Sequence, residues 1–287
     1  MNSSLVMLGY DYGILSMQGV KVPLHAKIQS HRIVVGSTNS GKSSAILYWI
    51  YKASKLGCEF YIADFKQSHE FEGITSYFAE FEACYALIEQ FYQEFLNIAE
   101  GGSGKIKILL IDEIAGLLTY YATSQDGKKK ADRVRNIMAS ILMLGRSRNC
   151  FLWLSMQRYS ATVFPASSGA ADNFQICVGF GRLTVEGRKG LFAGEHFDGE
   201  ETLRFGQGGR NYSCRRATIK RNCYSNCFKK EIASAIAKVS PSKGRRQRSC
   251  HSPLTQENGQ YYPFSCVTVI YIVEALILQG FFVTAIM

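Results

Sequence analysis

Residues 32–44 read Arg32-Ile33-Val34-Val35-Gly36-Ser37-Thr38-Asn39-Ser40-Gly41-Lys42-Ser43-Ser44. The stretch is an apolar run that ends at a glycine, and a helical pattern of residues follows the Gly-Lys-Ser. It fits G-x-x-x-x-G-K-[ST], in which backbone N–H groups surround the phosphates of a nucleotide. The stretch therefore predicts a buried strand, a phosphate-binding loop and a helix.

Each fixed position of this motif has its own chemical reason. Gly36 lets the chain turn out of the strand, and Gly41 lets the backbone approach the phosphates without an intervening Cβ atom. Lys42 reaches the β- and γ-phosphates, and Ser43 offers its hydroxyl to Mg²⁺. Glycine-rich turns also join strands to helices without any nucleotide, but here the flanking strand and helix accompany all four fixed positions. We therefore predict that residues 36–44 bind ATP and Mg²⁺.

A second motif predicts the hydrolytic residues. Lys105 to Ile111 predicts a buried strand, and Asp112 and Glu113 follow it directly. The first carboxylate suits Mg²⁺, and the second suits orientation or deprotonation of the attacking water. Two acids at a strand end are a weak signal alone, because such ends are often merely solvated. Downstream of a phosphate-binding loop they predict a Walker B motif, with the two motifs on neighbouring strands of one sheet.

A third feature is a polar residue at the end of another strand. Cys150 to Met156 predicts a buried strand, which ends at Gln157. A polar side chain at the end of the strand beside Walker B is placed to hydrogen-bond the γ-phosphate or the attacking water. Gln157 is therefore predicted to sense the γ-phosphate.

The remaining patterns predict an α/β fold with a mostly parallel sheet flanked by helices. They predict entry strands within residues 1–31 including Val20–Leu24, strands over Cys58–Ala63, Asp172–Phe180 and Arg210–Thr218, and helices within residues 77–99, over Arg133–Leu144 and over Arg182–Phe192.

Composition and charge narrow the class of protein. The chain has 287 residues, 47% of them hydrophobic, which is enough for one large domain with an appendage. Its formal net charge of +10 favours a polyanionic partner, either nucleic acid or an acidic membrane surface. Between Arg204 and Arg248, 13 Lys or Arg residues accompany one acid, Glu231.

The cysteines indicate a reducing compartment. Nine cysteines without a secretory signal favour reduced thiols in a cytoplasmic protein. Cys214, Cys223, Cys227, Cys250 and His251 form a group of residue types that can bind zinc. No C-x-x-C pair occurs and the spacings are irregular, so no zinc is expected.

Two segments outside the motifs have distinctive charge. Ser124 to Asp132, with Lys128, Lys129 and Lys130, predicts a polar loop that is either solvated or in contact with DNA phosphates. The second is the C-terminal part, where residues 236–263 predict a basic polar linker after a main domain over residues 1–235.

Residues 264–287 form an apolar tail. The tail is long enough to span a bilayer, but Glu274 and Gln279-Gly280 interrupt it. It fits a membrane segment that leaves the main domain in the cytoplasm, a buried strand-rich appendage, or an extension that does not fold.

The order of the motifs, from about Leu8 to Tyr212, resembles the motor domain of the FtsK/SpoIIIE family, within the wider FtsK/HerA group of DNA-pumping ATPases. Phe65 and Tyr159 stand where family members have proline, and Gln175 stands where they often have arginine. The matching positions besides the P-loop are His31, Asp64-Phe65-Lys66, Asp112-Glu113 with Ala115, Gly145-Arg146, and Ser155-Met156-Gln157-Arg158-Tyr159.

The resemblance implies a RecA-like P-loop NTPase fold and a homo-hexameric ring, with ATP between subunits and DNA in the central channel, held without base specificity. It also implies an arginine supplied to the γ-phosphate of a neighbouring subunit. Arg146 is the first choice, Arg148 is the second, and Arg188 matches a later family arginine. Arg146 and Arg148 also fit a solvated helix end.

These observations predict an ATP-dependent DNA translocase of a plasmid, conjugative element or phage, cytoplasmic or attached to a membrane through residues 264–287. One alternative is a coupling or packaging ATPase that engages a relaxase or capsid and moves single-stranded DNA. An alternative of another class is an ATP-binding switch that recruits partners at a membrane with little turnover. The paired acids and Gln157 argue against the switch, because a switch does not need a complete hydrolytic set.

Overall fold

The computed structural model describes residues 5–10, 18–101, 104–124, 127–181 and 183–193. The predicted strand at Arg210–Thr218, the 236–263 linker, the 264–287 tail and the Cys214–His251 group lie outside these residues. Across the described ranges, no helix is both long enough and apolar enough to cross a membrane.

Six parallel strands form the central sheet, and a separate hairpin pairs two antiparallel strands. The hairpin consists of β1 (Leu5–Tyr10) and β2 (Pro23–Lys27), and the sheet of β3 (Arg32–Gly36), β4 (Glu59–Asp64), β5 (Phe78–Glu80), β6 (Lys107–Asp112), β7 (Cys150–Met156) and β8 (Ile176–Phe180). The order across the sheet is β5-β4-β6-β7-β3-β8, and all neighbours are parallel. The carboxyl ends of the strands therefore share one edge, where open parallel sheets bind ligands.

Helices cover both faces of this sheet. They are α1 (Lys42–Ser54), α2 (Ala83–Asn97), α3 (Ile114–Thr123), α4 (Gly127–Leu144) and α5 (Val185–Leu191), with short 3-10 turns at Gly145–Arg148, Ala161–Val163 and Ala170–Asn173.

Alternate residues of each strand pack into two separate apolar cores. Val34, Ile62 and Leu110 pack with α1 and the hairpin. Val35 and Ile111 face the opposite side, in one core with α2, α3 and α4. Both faces of a parallel sheet are buried, which explains why its strands read as continuous apolar runs rather than alternating patterns.

Polar groups of large side chains join the hairpin to α1 and join β7 to the segment between the hairpin and the P-loop strand. The indole of Trp49 donates to the Leu8 carbonyl oxygen at 3.0 Å, and that of Trp153 donates to the Ser30 carbonyl oxygen at 3.2 Å. The fully buried Arg32 guanidinium lies 4.2 Å from the Trp153 ring centroid, and burial lowers its pKa to about 9. These contacts hold the entry strands against the motif that they precede.

The prediction that the P-loop strand and the Walker B strand are adjacent in the sheet was wrong. β7 lies between β3 and β6, so the P-loop strand and the Walker B strand each pair with β7 and not with each other. The glycine loop and the two acids nevertheless share the carboxyl edge, because every strand in the sheet is parallel.

Several predicted boundaries also differ from the structure. Residues 78–80 of the predicted helix are the edge strand β5, which pairs with Ile62–Asp64 of β4. The predicted polar loop is helical from Gly127, so its three lysines stand on the first turns of α4. β2 begins at Pro23 rather than Val20, and β8 begins at Ile176 after a 3-10 turn.

Candidate nucleotide-binding site

The loop between β3 and α1 has the backbone conformation that its glycines predict. Gly41 has φ = 97°, the left-handed region that glycine tolerates, and stands immediately before α1. A Cβ atom on Gly36 would lie 2.5 Å from the Phe180 carbonyl oxygen, so only glycine fits against β8. No side chain caps the N-terminus of α1, and its first N–H groups remain available to an anion.

The predicted loop residues differ in exposure. Ser37, Thr38 and Asn39 are exposed, and Ser40, Gly41 and Ser43 are half-buried. Ser44, on the first turn of α1, is exposed. The side chains of residues 37–39 and of Ser44 are therefore exposed at the carboxyl edge, whereas the Ser40 hydroxyl is buried.

Lys42 is buried at the centre of the loop. Its Nζ atom donates to the carbonyl oxygens of Gly36 and Ser37, the latter at 3.1 Å. Burial lowers the pKa of the Lys42 ammonium, whereas the nearby charges of Asp112 and Glu113 raise it. The charge of Lys42 and those of the two acids are thus close enough to affect one another.

Asp112 and Ser155 form part of a polar row on the α1 face of the sheet. Asp112 ends β6 and is 6% exposed, and Ser155 is fully buried on the adjacent β7. Burial raises the pKa of Asp112 to about 6; the charges of Asp64 and Glu113 act in the same direction, whereas the Ser155 hydroxyl lowers it. Ser155 is in register with Val34 of β3, so this row bridges the Walker B strand and the P-loop strand.

Glu113 stands between β6 and α3 in a conformation that is uncommon for a residue with a side chain. Its φ is 58°, in the left-handed region. Such backbone strain of about 1–3 kcal/mol clusters at functional sites. A Cβ atom on Gly116 would lie 3.2 Å from Glu113 Cγ and 3.3 Å from Phe65, which shows how closely the α3 turn surrounds this carboxylate. The half-buried side chain projects from the same edge as the P-loop.

Gln157 follows β7 directly and is half-buried. Because β7 lies between β3 and β6, Gln157 emerges between the glycine loop and the two acids. β7 lies beside the Walker B strand, as predicted, whereas the contact of Gln157 with the γ-phosphate or the attacking water stays a prediction.

The donor set suits magnesium. Ser43 and Asp112 supply a hydroxyl and a carboxylate, and a fully buried oxygen atom nearby, Asp64 Oδ1, forms no hydrogen bond within the described ranges. Among the described residues, no three His, Cys, Asp or Glu side chains form a dedicated metal cage. Mg²⁺ does not need one, because it is usually held by one or two protein oxygens together with nucleotide phosphates and waters.

The predicted arginines lie on different edges of the sheet. Arg146 and Arg148 precede β7, so they stand at the amino edge, opposite the P-loop. Arg146 is exposed. Arg148 instead binds the end of α2: it donates to the carbonyl oxygens of Phe95 at 3.0 Å and Leu96 at 3.2 Å. Arg188, on α5 after β8, is half-buried on the P-loop side of the sheet.

His31 and Gln175 connect strands within the subunit. His31 Nδ1 accepts from the Leu152 N–H at 3.0 Å, and burial, aided by the Arg146 charge, lowers the pKa of His31 to about 4. Gln175 accepts from the His31 N–H at 2.7 Å and donates to the Asn173 carbonyl oxygen. Both residues therefore position the starts of β3, β7 and β8.

Sequence reasoning gave no role to Asp64 or Ser155. The available signal was the same for both and for Asp112: a polar residue at the carboxyl end of a buried strand. It was used for Asp112 because a second acid follows, but a single aspartate or serine at a strand end is too common to stand out.

The fold is similar to that of several ATPases whose structures are solved. EssC (ATPases 2 and 3) from Geobacillus thermodenitrificans matches with a TM-score of 0.53 and 9% identity, over 83% of this chain and 50% of that chain. Thermomonospora curvata EccC (ATPases 2 and 3) in complex with a signal sequence peptide gives 0.51 and 15%, over 81% and 47%. The cytoplasmic domain of the Thermomonospora curvata type VII secretion ATPase EccC gives 0.50 and 18%, over 66% and 25%.

The chain spans half or less of the length of these three structures. No protein-family model matches the sequence, and no curated protein matches it. The sheet order, the P-loop geometry and the structural likeness agree with one another. The chain has a RecA-like α/β fold, with a mostly parallel sheet between helices, that is similar to the fold of these ATPases.

Proposed function

We propose that this chain is an ATP-hydrolysing motor that moves DNA. The observation that carries the proposal is the meeting of the glycine loop with Lys42, the Asp112–Glu113 pair and Gln157 at one edge of the sheet. A protein that only holds nucleotide needs the first of these elements. A carboxylate that can accept a proton from water and an amide that can orient it are needed for hydrolysis.

The residues divide the work of hydrolysis. The N–H groups at the start of α1 and the Lys42 ammonium hold the phosphates, and Ser43 and Asp112 hold Mg²⁺. When bound, Mg²⁺ neutralises charge on the β- and γ-phosphates. Glu113 accepts the proton of the attacking water, and Gln157 hydrogen-bonds the water or the γ-phosphate. The constrained backbone at Glu113 keeps its carboxylate at the rim.

Hydrolysis in this proposal also needs a neighbouring subunit. The arginine that stabilises transition-state charge comes from the amino edge of the next copy in a hexameric ring, and Arg146 is the first choice because it is exposed there. Arg148 is occupied by the end of α2, which leaves it as the weaker candidate. Arg188 lies on the P-loop side of its own subunit, where it is placed to act on the nucleotide of that subunit or at the interface.

DNA is the proposed cargo because the chain is basic and its lysines are suited to phosphate contacts. The formal net charge is +10, and Lys128, Lys129 and Lys130 are all exposed on the first turns of α4. Such contacts hold a polyanion without reading its bases. A coupling or packaging role on single-stranded DNA uses the same chemistry. The fold is also similar to that of EccC in complex with a signal sequence peptide. A polypeptide cargo is therefore the alternative that the experiment compares with DNA.

The test measures ATPase rate with no polymer, double-stranded DNA, single-stranded DNA and an unfolded polypeptide. We expect DNA to stimulate the rate and Glu113→Gln to abolish it while nucleotide binding persists. Glu186→Gln is the matched control, since it removes the same charge from an exposed position on α5. Slow turnover that no polymer stimulates would instead support the ATP-binding switch.

A further inference from the structure

We propose that Asp64 positions the water shell of the nucleotide-bound magnesium, through a hydrogen bond that its Oδ1 atom accepts from a metal-bound water. This inference rests on the proposed nucleotide site and adds a strand, β4, that the Walker motifs do not include. Asp64 acts through water and through Asp112, and is therefore a positioning residue and not a direct ligand.

Strand register places Asp64 beside the predicted metal ligand. Asp64 is the last residue of β4, and its partner across the β4–β6 pairing is Asp112. Side chains alternate along a strand, so Asp64 extends from the same face as Ile62, which is the face that carries α1. Asp112 and Ser155 extend from this face as well. The three polar side chains form a row across β4, β6 and β7 that ends at the P-loop strand.

Only one of the two carboxylate oxygens of Asp64 accepts hydrogen bonds from the described residues. Its Oδ2 atom accepts from the Ser68 N–H at 3.1 Å and from the Ser68 hydroxyl at 2.8 Å. Its Oδ1 atom is buried and has no hydrogen-bond partner in the part of the chain that the structure describes. Within that part, Asp64 also forms no ion pair with Lys, Arg or His. The carboxylate is fully buried.

A buried carboxylate beside a second carboxylate is unfavourable unless a cation or a proton donor lies between or near them. Lys66, the nearest cation along the chain, is exposed and does not pair with Asp64. A hydrated Mg²⁺ held by Asp112 and Ser43 would supply positive charge and an O–H donor to the Oδ1 atom, neither of which Ser68 provides. Mg²⁺ keeps several waters in nucleotide sites, and groups that accept from such waters tune metal affinity.

A purely local role is the competing explanation. Ser68 holds one carboxylate oxygen, and this alone would fix the chain as it leaves β4. That role uses only Oδ2, so it predicts no dependence of metal affinity on the Asp64 charge. The two explanations therefore separate when the charge is removed and the shape is kept.

The experiment measures the Mg²⁺ concentration at which the full chain binds a fluorescent, non-hydrolysable ATP analogue at half saturation. Asp64→Asn keeps the volume but replaces an acceptor by an amide, and we expect it to raise this midpoint by about 10- to 100-fold. Binding of the analogue in EDTA is expected to stay unchanged. Glu80→Gln is the matched control: it removes a carboxylate in register with Asp64 on β5, and we expect less than about a 3-fold change.

The outcomes separate the two levels of the argument. Failure of the unaltered chain to bind the analogue with Mg²⁺ would overturn the proposed function. A magnesium-dependent wild type with an unshifted Asp64→Asn midpoint would overturn only the role of Asp64. Should Asp64→Asn not fold, Ser68→Ala keeps the carboxylate and frees its orientation. We then expect a shift of about 2- to 5-fold, and no shift would again overturn the inference.

Discussion

Arg146 and Arg148 are separated by a single residue, but we expect their replacement by alanine to have different effects on stability and on activity. Arg148 is half-buried, and its guanidinium donates to two carbonyl oxygens at the C-terminus of α2, with its centre 5.0 Å from the Phe95 ring centroid. Its Glu100 contact is 3.9 Å long and Glu100 is exposed, so that ion pair adds little. Arg146 is exposed, and no ion pair of its side chain occurs among the described residues.

The magnitude follows from these contacts. Charge-assisted hydrogen bonds contribute about 1.5–3 kcal/mol each, but water can replace part of this at the end of α2, so Arg148→Ala is expected to cost about 2–3 kcal/mol in total. For a domain of this size that lowers Tm by about 4–12 °C. Arg146→Ala is expected to change stability by less than about 0.5 kcal/mol, as for other exposed sites. Arg148→Lys keeps the charge but loses the planar fork, and should fall between the two.

The activity assay reverses the order. A trans arginine contributes about 10³- to 10⁵-fold to kcat, so Arg146→Ala should nearly abolish DNA-stimulated hydrolysis while leaving Tm and nucleotide binding unchanged. Arg148→Ala should keep most of its activity at temperatures where it is folded. Equal losses of Tm in both variants would refute the helix-end argument. An Arg146→Ala protein with full activity would remove Arg146 from the interface.

Three further outcomes are expected. Gly36→Ala puts a Cβ atom 2.5 Å from a backbone carbonyl oxygen of β8, so it should lower the free energy of unfolding by about 1–3 kcal/mol or more and weaken binding of an ATP analogue. Gly104 has open space around it, so Gly104→Ala should change neither quantity in the same melting and binding assays. Burial raises the pKa of Asp112, so between pH 3.8 and about 6 the folded chain holds the Asp112 proton more tightly than the unfolded chain does. In the absence of metal, the free energy of unfolding of the wild type should therefore fall by about 3 kcal/mol relative to Asp112→Asn as the pH rises through that window. His31 has a lowered pKa and acts oppositely, adding stability as the pH rises from about 4 to 6.5, which is why urea melts must compare the two proteins at each pH. Replacing Lys128, Lys129 and Lys130 together by glutamine should weaken DNA binding and reduce the slope of log affinity against log salt by up to about 3, as measured by fluorescence anisotropy; an unchanged slope would place the DNA contacts elsewhere.

The sequence was sufficient for the P-loop, the two acids and the length of β7, because each depends on local pattern. Lys42 and Glu113 lie at the same edge simply because every strand of the sheet is parallel. The local sequence pattern could not predict which strands lie next to the two motif strands. Strand order depends on how the crossover helices pack, and nothing in the composition of β7 distinguishes an inner strand between β3 and β6 from one at the side.

Other misses had local causes. Phe78 and Phe81 continue the apolar spacing of α2 backwards, so the helical pattern included a three-residue edge strand whose pairing with β4 determines its conformation. The sequence also could not predict that Arg148 is bound within the subunit whereas Arg146 is exposed. Both belong to one short Gly-Arg-Ser-Arg turn, and only the position of the α2 end, some fifty residues earlier in the chain, decides which guanidinium is occupied.

The position of β7 between the two motif strands has consequences for the proposed ring. β7 is buried along its whole length and is paired with β3 on one side and β6 on the other, so it cannot deform locally without breaking both ladders. Seven residues at about 3.3 Å each span about 23 Å. In the proposed ring, Gln157 at the carboxyl end would lie beside the nucleotide of its own subunit, and Arg146, just before the amino end, would face the next subunit. A rearrangement at Gln157 on loss of the γ-phosphate must therefore either stay within the loop after β7 or move the strand as one body and shift Arg146 with it. Packed elements shift between discrete arrangements rather than bending continuously, so this geometry favours an all-or-none response between adjacent sites over a graded one.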